Sequence, residues 1–250
     1  MNRYKRVLFV SDIHCPYQDN QALKAMYSFM DWWKPNEVIL LGDLVDFYAI
    51  SHFSKDPERA LKLQNEIDES VVVLDKIRSH AGKVPITLLE GNHEVREEQY
   101  LWNRASELSG LKALKLENLL ELDRLKIKFV KNGIMHYKGI IVKHGSVIRK
   151  FAGYTAKGEF EKNGVSGISA HTHRLATYRQ TNEGGAFVWV ESGCLCKLEA
   201  DYLKGEVPNW MQGFTIGYFK ENSSRFLIET VPIINKKAMY GGREFGGELN

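Results

Sequence analysis

The fold of this 250-residue chain is decided by the stretch Val38-Ile39-Leu40-Leu41-Gly42-Asp43-Leu44-Val45-Asp46. Its first four residues form a continuous apolar run, which is typical of a strand buried on both faces. The run stops at a Gly-Asp pair, so the pattern predicts a strand that carries the Asp43 carboxylate to the edge of a sheet. A strand followed by Gly-Asp is also common as a plain turn, so the meaning of Asp43 depends on the rest of the chain.

The same pattern occurs twice more. A strand-like run at 6–10 leads to Asp12 and His14, and a run at 85–89 leads to Gly91-Asn92-His93-Glu94. Side chains at i and i+2 of an extended segment point the same way, so Asp12 and His14 could reach one ion. Apolar residues at helical spacing separate the runs, which predicts successive βαβ units with right-handed crossovers.

Helices are predicted from Gln21 to Trp33 and from a first turn at Pro57 to about Arg78, and the segment 97–125 is mostly helical in pattern with a break at Ser109-Gly110. From Ile127 the pattern becomes extended, with strand-like runs at 127–130, 134–137, 140–142, 164–169, 176–181, 186–190, 214–219 and 225–234. Two of these runs end in histidines, at His144 and at His171-Thr172-His173. The chain therefore predicts one α/β domain over 1–235, followed by a flexible tail over 236–250.

Composition narrows the class of protein. The chain is 44% hydrophobic, enough for one substantial core, and its net charge of +3 neither requires nor excludes a polyanionic partner. The sparse cysteines indicate a reducing compartment, and Cys194-x-Cys196 could be a soft-metal pair or, more simply, two core residues on one strand face. We found no signal peptide and no apolar run of membrane-spanning length, so we expect a cytoplasmic protein with no membrane partner.

The motifs together resemble the calcineurin-like metallophosphoesterase superfamily. They occur in the family's order over residues 12–173: Asp12-x-His14, Gly42-Asp43-x-x-Asp46, Gly91-Asn92-His93-Glu94, His144-Gly145 and His171-x-His173. One position departs, because Ala170 stands where the family usually has Gly before the last motif. The resemblance implies a four-layer α/β/β/α sandwich, two mixed sheets flanked by helices, with a dinuclear metal site at the strand ends.

The resemblance also implies a ligand set. Asp12, His14 and His173 would hold one divalent ion, Asn92, His144 and His171 the other, and Asp43 would bridge both. Such oxygen and imidazole donors suit Mn²⁺, our first expectation, and Fe²⁺, Zn²⁺, Ni²⁺ or Mg²⁺ are alternatives. A hydroxide shared by two ions would then attack phosphorus in line with the leaving group.

Two residues would complete the catalytic site by the same resemblance. His93 would donate a proton to the leaving oxygen, and Asp46 would orient His93. Arg96, Arg149 and Arg174 are candidates for binding substrate phosphates, although a solvated surface charge is the favoured interpretation of each residue taken singly. Aromatic residues near the motifs could stack on bases or simply pack: Tyr48, Phe53, Tyr100, Trp102 and Phe151.

Departures from subfamilies guide the functional prediction. Protein phosphatases of this superfamily carry Arg-Gly after the second motif, where this chain has Phe47-Tyr48, and the chain is too short for the appended domains of double-strand-break repair nucleases. It looks like a compact phosphoesterase of the kind found in bacteria and phages. We expect a phosphodiesterase acting on nucleic acid, DNA or RNA, or on nucleotides; the alternatives are a phosphomonoesterase and a metal-free scaffold with the same fold.

Overall fold

The computed structural model describes residues 4–52, 62–199 and 207–246. Pro57 and Phe53 lie outside these ranges. The helices are α1 (Asn20–Trp33), α2 (Leu63–Ala81), α3 (Val95–Arg104), α4 (Leu116–Leu119) and α5 (Tyr154–Asn163). The strands are β1 (Tyr4–Val10), β2 (Glu37–Leu40), β3 (Ile86–Leu89), β4 (Ile127–Val130), β5 (Ile134–Tyr137), β6 (Ile140–Lys143), β7 (Gly167–Ser169), β8 (Leu175–Asn182), β9 (Gly185–Ser192), β10 (Gly213–Lys220), β11 (Phe226–Ile234), β12 (Lys237–Tyr240) and β13 (Arg243–Gly246).

Helix α1 shows how the sequence fixes the first crossover. The Asp19 carboxylate accepts hydrogen bonds from the backbone N–H groups of Gln21 (2.8 Å) and Ala22 (3.2 Å), which satisfies two donors at the helix start. Lys34 adopts a left-handed conformation and ends the helix. The apolar residues at helical spacing form the buried face of the helix, which confirms the predicted helix. These residues are Leu23, Met26, Tyr27, Met30 and Trp33.

Two sheets form the centre of the molecule. The larger has the strand order β13-β12-β11-β10-β1-β2-β3-β4, and the smaller has the order β5-β6-β7-β9-β8. Neighbouring strands from β1 to β4 are parallel, and so are the pairs β6–β7 and β7–β9. The carboxyl ends of β1, β2 and β3 therefore lie along one edge of the larger sheet, and those of β6 and β7 along one edge of the smaller.

Three separate apolar clusters show how the layers pack. Alternate residues of β1 face opposite ways: Leu8 and Val10 pack against α1 and α2, whereas Val7 and Phe9 pack against the smaller sheet. A third cluster joins α5 to the outer face of the smaller sheet through Phe160, Trp189 and their neighbours. Helices, sheet, sheet and helix thus form four layers, which confirms the predicted α/β/β/α sandwich.

The carboxyl-terminal segment corrects one prediction. The flexible tail expected from residue 236 is wrong for Lys237–Gly246, because β12 and β13 form a hairpin that extends the larger sheet beyond β11. Gly241 and Gly242 have φ values of +59° and +72°, as a tight hairpin turn of two residues needs, so the pair that suggested fraying makes the turn. Phe245 is buried against Phe29 of α1, which explains why the hairpin stays attached.

Helix α5 was missing from the predicted elements. Three of its five buried residues are polar or glycine, Thr155, Gly158 and Glu159, and the large apolar one is Phe160 alone, so hydrophobic periodicity did not reveal it. The buried Glu159 carboxylate pairs with Lys143 at the end of β6, and this pair attaches the helix to the sheet beside His144.

Candidate metal centre

Five loops bring the predicted ligands together at the carboxyl ends of β1, β2, β3, β6 and β7. Five of the seven candidate ligands have a positive φ: Asp12 (52°), His14 (52°), Asp43 (51°), His171 (73°) and His173 (57°). Residues with a Cβ atom adopt this conformation only at a cost in free energy, and it persists where surrounding contacts enforce it, commonly at functional sites. The backbone of these loops is therefore held in an unfavourable conformation at the residues whose side chains form the cluster.

The first group consists of Asp12, His14 and His173, whose ligand atoms all lie within 4.8 Å of one another. The Nε2 atoms of His14 and His173 are 3.0 Å apart, and His173 Nε2 lies 3.4 Å from Asp12 Oδ1. These residues are separated by up to 161 positions in the chain, so only the fold brings them together.

The second group consists of Asp43, His144 and His171, again with ligand atoms within 4.8 Å. His144 Nε2 lies 3.3 Å from Asp43 Oδ2 and 2.9 Å from Asn92 Oδ1. Asp43 also lies 3.7 Å from His14 Nε2, so its carboxylate stands between the two groups. Asp12, His14 and His173 thus lie in one group, and Asn92, His144 and His171 lie beside Asp43 in the other; the assignment of each group to one ion stays a prediction.

The outward-facing nitrogens of three histidines are already occupied. His14 Nδ1 donates to Asp46 Oδ2 (3.1 Å), and His144 Nδ1 donates to the Leu41 carbonyl (2.9 Å). His173 Nδ1 lies 3.7 Å from the Cys196 sulfur. In the neutral form of His14 and His144, with the proton on Nδ1, each Nε2 offers a lone pair to the interior, as metal-binding imidazoles do.

The charges fit a cation at this position. Asp12 and Asp43 are fully buried, and in the described part of the chain their ionic partners are histidines, with no Lys or Arg. Burial by itself would raise the pKa of Asp43, yet the neighbouring His144 lowers that pKa well below its ordinary value. Burial of His144 would lower the pKa of its imidazole, yet the Asp43 carboxylate raises that pKa to about 9. Buried carboxylates beside inward-facing Nε2 atoms call for positive charge, which divalent ions would supply.

Glu94 is a functional residue to which the sequence analysis gave no role. Its Oε2 accepts N–H groups from Asp43 (2.8 Å) and Gly91 (2.8 Å), and its Oε1 accepts those of Leu44 (2.8 Å) and Val45 (3.3 Å). Burial and the nearby Asp43 raise the pKa of Glu94 to about 7, whereas four N–H donors favour its ionised form. One carboxylate therefore fastens the loop of Asp43 to the loop of Asn92.

Glycine is required where these two loops meet. A Cβ atom on Gly42 would lie 2.6 Å from the Gly91 nitrogen, which is closer than real Cβ atoms approach. Gly42 also has a φ of +95°, which favours glycine. The glycines of the two motifs therefore allow the backbones to approach closely enough for Glu94 to bridge them.

His93, Asp46 and Arg96 form a connected set beside Asp43. His93 Nδ1 donates to the Asp46 carbonyl (2.8 Å), while the Asp46 carboxylate is 3.5 Å from the same nitrogen and closer to His14. Arg96 donates to the Asp46 carbonyl (2.8 Å) and to His93 Nε2 (3.0 Å). Burial lowers the pKa of His93 to about 4, so the imidazole is neutral here. Asp46 thus orients His93 through its backbone and His14 through its side chain.

The other predicted phosphate-binding residues lie at the edge of the cluster. Arg149 is exposed, and Arg174, directly after His173, donates to the Arg149 carbonyl. Three histidines without a motif belong to none of the ligand groups in the described residues: His52, His80 and His136.

Two further side chains contact His173 from outside the motifs. Cys196, interpreted from sequence as one of a core pair, is buried with its sulfur facing His173 Nδ1. Cys194, Cys196 and His173 also have ligand atoms within 4.8 Å, so the soft-metal alternative for the pair stays open. The Trp210 ring lies 4.3 Å from the His173 ring, and no pattern in the sequence marked it.

A four-layer sandwich with clustered aspartates and histidines at its strand ends defines a metallophosphoesterase-type protein. The family model described as calcineurin-like phosphoesterase matches residues 5–175. The chain belongs to the calcineurin-like phosphoesterase family, which implies bound divalent metal ions and a metal-dependent phosphoesterase.

Relatives extend the similarity over the whole chain. The gene 54 protein of Mycobacterium phage D29 is 31% identical over 95% of this chain and 97% of its own length. The gene 54 protein of Mycobacterium phage L5 is 29% identical over 96% and 98%. Among solved structures, vacuolar protein sorting 29 from Cryptosporidium parvum covers 98% of this chain and 99% of its own, with 14% identity and a TM-score of 0.51, a similarity of fold alone. Within the described ranges, no helix has the length and apolar character to cross a membrane.

Proposed function

We propose that this protein is a phosphodiesterase that hydrolyses nucleic acid or nucleotides with two divalent metal ions, Mn²⁺ first among them. The observation that carries the proposal is the pair of adjacent ligand groups, in which Asp43 of one group lies 3.7 Å from His14 of the other and the Nε2 atoms of His14 and His173 are 3.0 Å apart. Both nitrogens face the same point, and a cation or a proton between them would relieve their repulsion. Two ions in such a site supply Lewis acidity and activate water at neutral pH.

The chain's own residues would bind and orient the phosphate. Asp43 stays ionised because His144 faces it, so its carboxylate can bind a cation. Arg96 presents its guanidinium beside His93 and can offer a fork of N–H donors to phosphate oxygens. A substrate phosphate would displace the Arg96–His93 hydrogen bond and free His93 Nε2.

His93 is assigned proton donation to the leaving oxygen. Its Nδ1 is held by the Asp46 carbonyl, and its Nε2 lies 3.8 Å from Asp43 Oδ2, so the ring is aimed at the same centre. The imidazole is neutral without substrate, and a bound phosphate anion would favour its protonated form. Such positioned acids contribute about 10² to 10⁴ in rate.

Two model substrates test the proposal. The purified protein with Mn²⁺ is given bis-(p-nitrophenyl) phosphate and p-nitrophenyl phosphate in parallel, with Asp43→Asn as the inactive control. We expect faster hydrolysis of the diester, and loss of both metal and activity in Asp43→Asn. A strong preference for the monoester would establish the phosphomonoesterase alternative instead. Absence of bound metal together with an unchanged Asp43→Asn variant would establish the metal-free scaffold.

A further inference from the structure

An exposed aromatic surface lies beside the metal centre on the segment that follows His144. Ile148, Phe151 and Tyr154 are 61%, 51% and 59% exposed. The rings of Phe151 and Tyr154 are 5.5 Å apart with their planes at 67°, so they form a pair that leaves ring surface open to solvent. We call Ile148, Arg149, Lys150, Phe151 and Tyr154 the rim surface.

The rim surface is positively charged. Between Gly145 and Gly158 the sequence has Arg149, Lys150 and Lys157 and no Asp or Glu. The Lys150 ammonium lies 5.4 Å from the centre of the Phe151 ring, which places a cation beside an exposed aromatic face. Lys157 pairs with Glu161 (3.7 Å), whereas Arg149 and Lys150 form no ion pair with a carboxylate in the described part of the chain. Open rings beside these two cations suit a polyanion that also carries flat bases.

Hydrogen bonds fix the rim surface relative to the metal ligands. Arg174, the residue after His173, donates to the carbonyl of Arg149. The Gly153 N–H donates to Glu191 Oε2 (2.6 Å), and Glu191 Oε1 accepts the hydroxyl of Thr172 (2.9 Å), which lies between His171 and His173. The segment is thus anchored at both ends to the loop that carries two of the ligands.

We propose that the rim surface binds a single-stranded nucleic acid, with bases stacked on Phe151 and Tyr154 and phosphates contacted by Arg149 and Lys150. The inference rests on the proposed function, since it names the substrate class of the same site. A single strand is favoured over a duplex because its bases are free to stack on side chains, whereas duplex bases already stack on each other.

Fluorescence anisotropy of a labelled 12-nucleotide oligothymidylate tests the inference with the full-length protein. EDTA is present, because it prevents hydrolysis and removes any contribution of metal ions to affinity. The variant is Phe151→Leu combined with Tyr154→Leu, which keeps apolar bulk but removes both π faces. The control is Tyr4→Leu, which alters an exposed tyrosine (46%) at the opposite end of β1 from Asp12. Thermal unfolding confirms that each variant is folded.

We expect the double variant to raise Kd about tenfold, which corresponds to about 1.4 kcal/mol, with no change for the control. A second variant, Lys150→Gln, should reduce the slope of log Kd against log salt by about 0.7, the value for one lost phosphate contact on a single strand. The inference is overturned if wild-type protein does not bind the oligonucleotide, if neither variant changes binding, or if a 12-base-pair duplex binds as tightly. Hydrolysis of the model diester by wild-type protein is a separate measurement, so its failure would remove the proposed activity without altering these binding results.

Discussion

Replacing Glu94 with glutamine should weaken the metal centre without touching a ligand. The carboxylate accepts four backbone N–H groups, two on each oxygen. Glutamine keeps one accepting oxygen and turns an NH₂ group toward the remaining donors, so two buried N–H groups lose their acceptor. Each such loss costs about 1 to 3 kcal/mol, and relaxation of the loops should leave a net cost of about 3 kcal/mol.

For a domain of this size, a loss of 1 kcal/mol in the free energy of unfolding lowers Tm by about 2 to 4 °C, so the Tm of Glu94→Gln should be about 6 to 12 °C lower than that of the wild-type protein. Because Glu94 holds the loop of Asp43, metal affinity should also fall about 10- to 100-fold, as for other residues that orient ligands. Differential scanning fluorimetry and calorimetric Mn²⁺ titration measure the two effects.

Glu98→Gln is the matched control for this change. Glu98 lies in the first turn of α3, the helix that Glu94 directly precedes, and forms a surface ion pair with Lys131 (2.8 Å), which stabilises the fold by at most about 1 kcal/mol. If Glu94→Gln matched this control in Tm and in Mn²⁺ affinity, the hydrogen bonds of Glu94 would not hold the two loops together.

Four other outcomes follow from the site and its surroundings. His93→Asn should keep near-normal metal content while turnover falls about 10² to 10⁴-fold; loss of both metals would contradict its assigned role. His144→Ala should instead lower the measured metal content by about one ion per chain, and an unchanged content would place His144 outside the centre. Chelation should lower Tm, because bound ions at a hundredfold excess over Kd stabilise by about 2.7 kcal/mol, and an equal Tm with and without Mn²⁺ would argue against bound metal. Burial raises the pKa of Glu66 from 4.5 to about 7. Protonated Glu66 therefore makes its full contribution to the free energy of unfolding below pH 4.5, and this contribution is lost as pH rises through 7. Between pH 5 and pH 8 the free energy of unfolding of the wild-type protein should therefore fall relative to that of Glu66→Gln. A difference between the two proteins that stays constant over this pH range would contradict the prediction.

Much of the fold was predictable because its signals are local. The apolar runs before Asp12, Asp43 and Asn92 are strands in the structure, and the polar residues after them lie at one edge of a sheet, as parallel strands require. Secondary-structure elements with a weak hydrophobic pattern were not predicted or were predicted wrongly. Helix α5 has a polar buried face, and the glycine pair of the β12–β13 hairpin resembled a frayed end.

The contacts around each ligand were not predictable from spacing. Cys196 faces His173, and Asp46 directs its carboxylate at His14 and only its carbonyl at His93. Arg96, predicted to bind substrate, is hydrogen-bonded to His93. Each of these pairs joins different loops or adjacent turns, whose approach depends on the packing of the two sheets.

The residue types that end each strand could be read from local sequence, because hydrophobic periodicity and turn chemistry act over a few neighbouring residues. The sequence also determined the family, through motifs that occur in order from Asp12 to His173. The three-dimensional fold was needed to show that the Nε2 atoms of His14 and His173, 159 positions apart in the chain, lie 3.0 Å from each other and that Asp43 stands between two ligand groups. Those distances are fixed by the packing of the two sheets against each other. The free energy gained by burying apolar surface between the layers offsets the cost of placing these charged side chains close together, which interactions between neighbouring residues could not do.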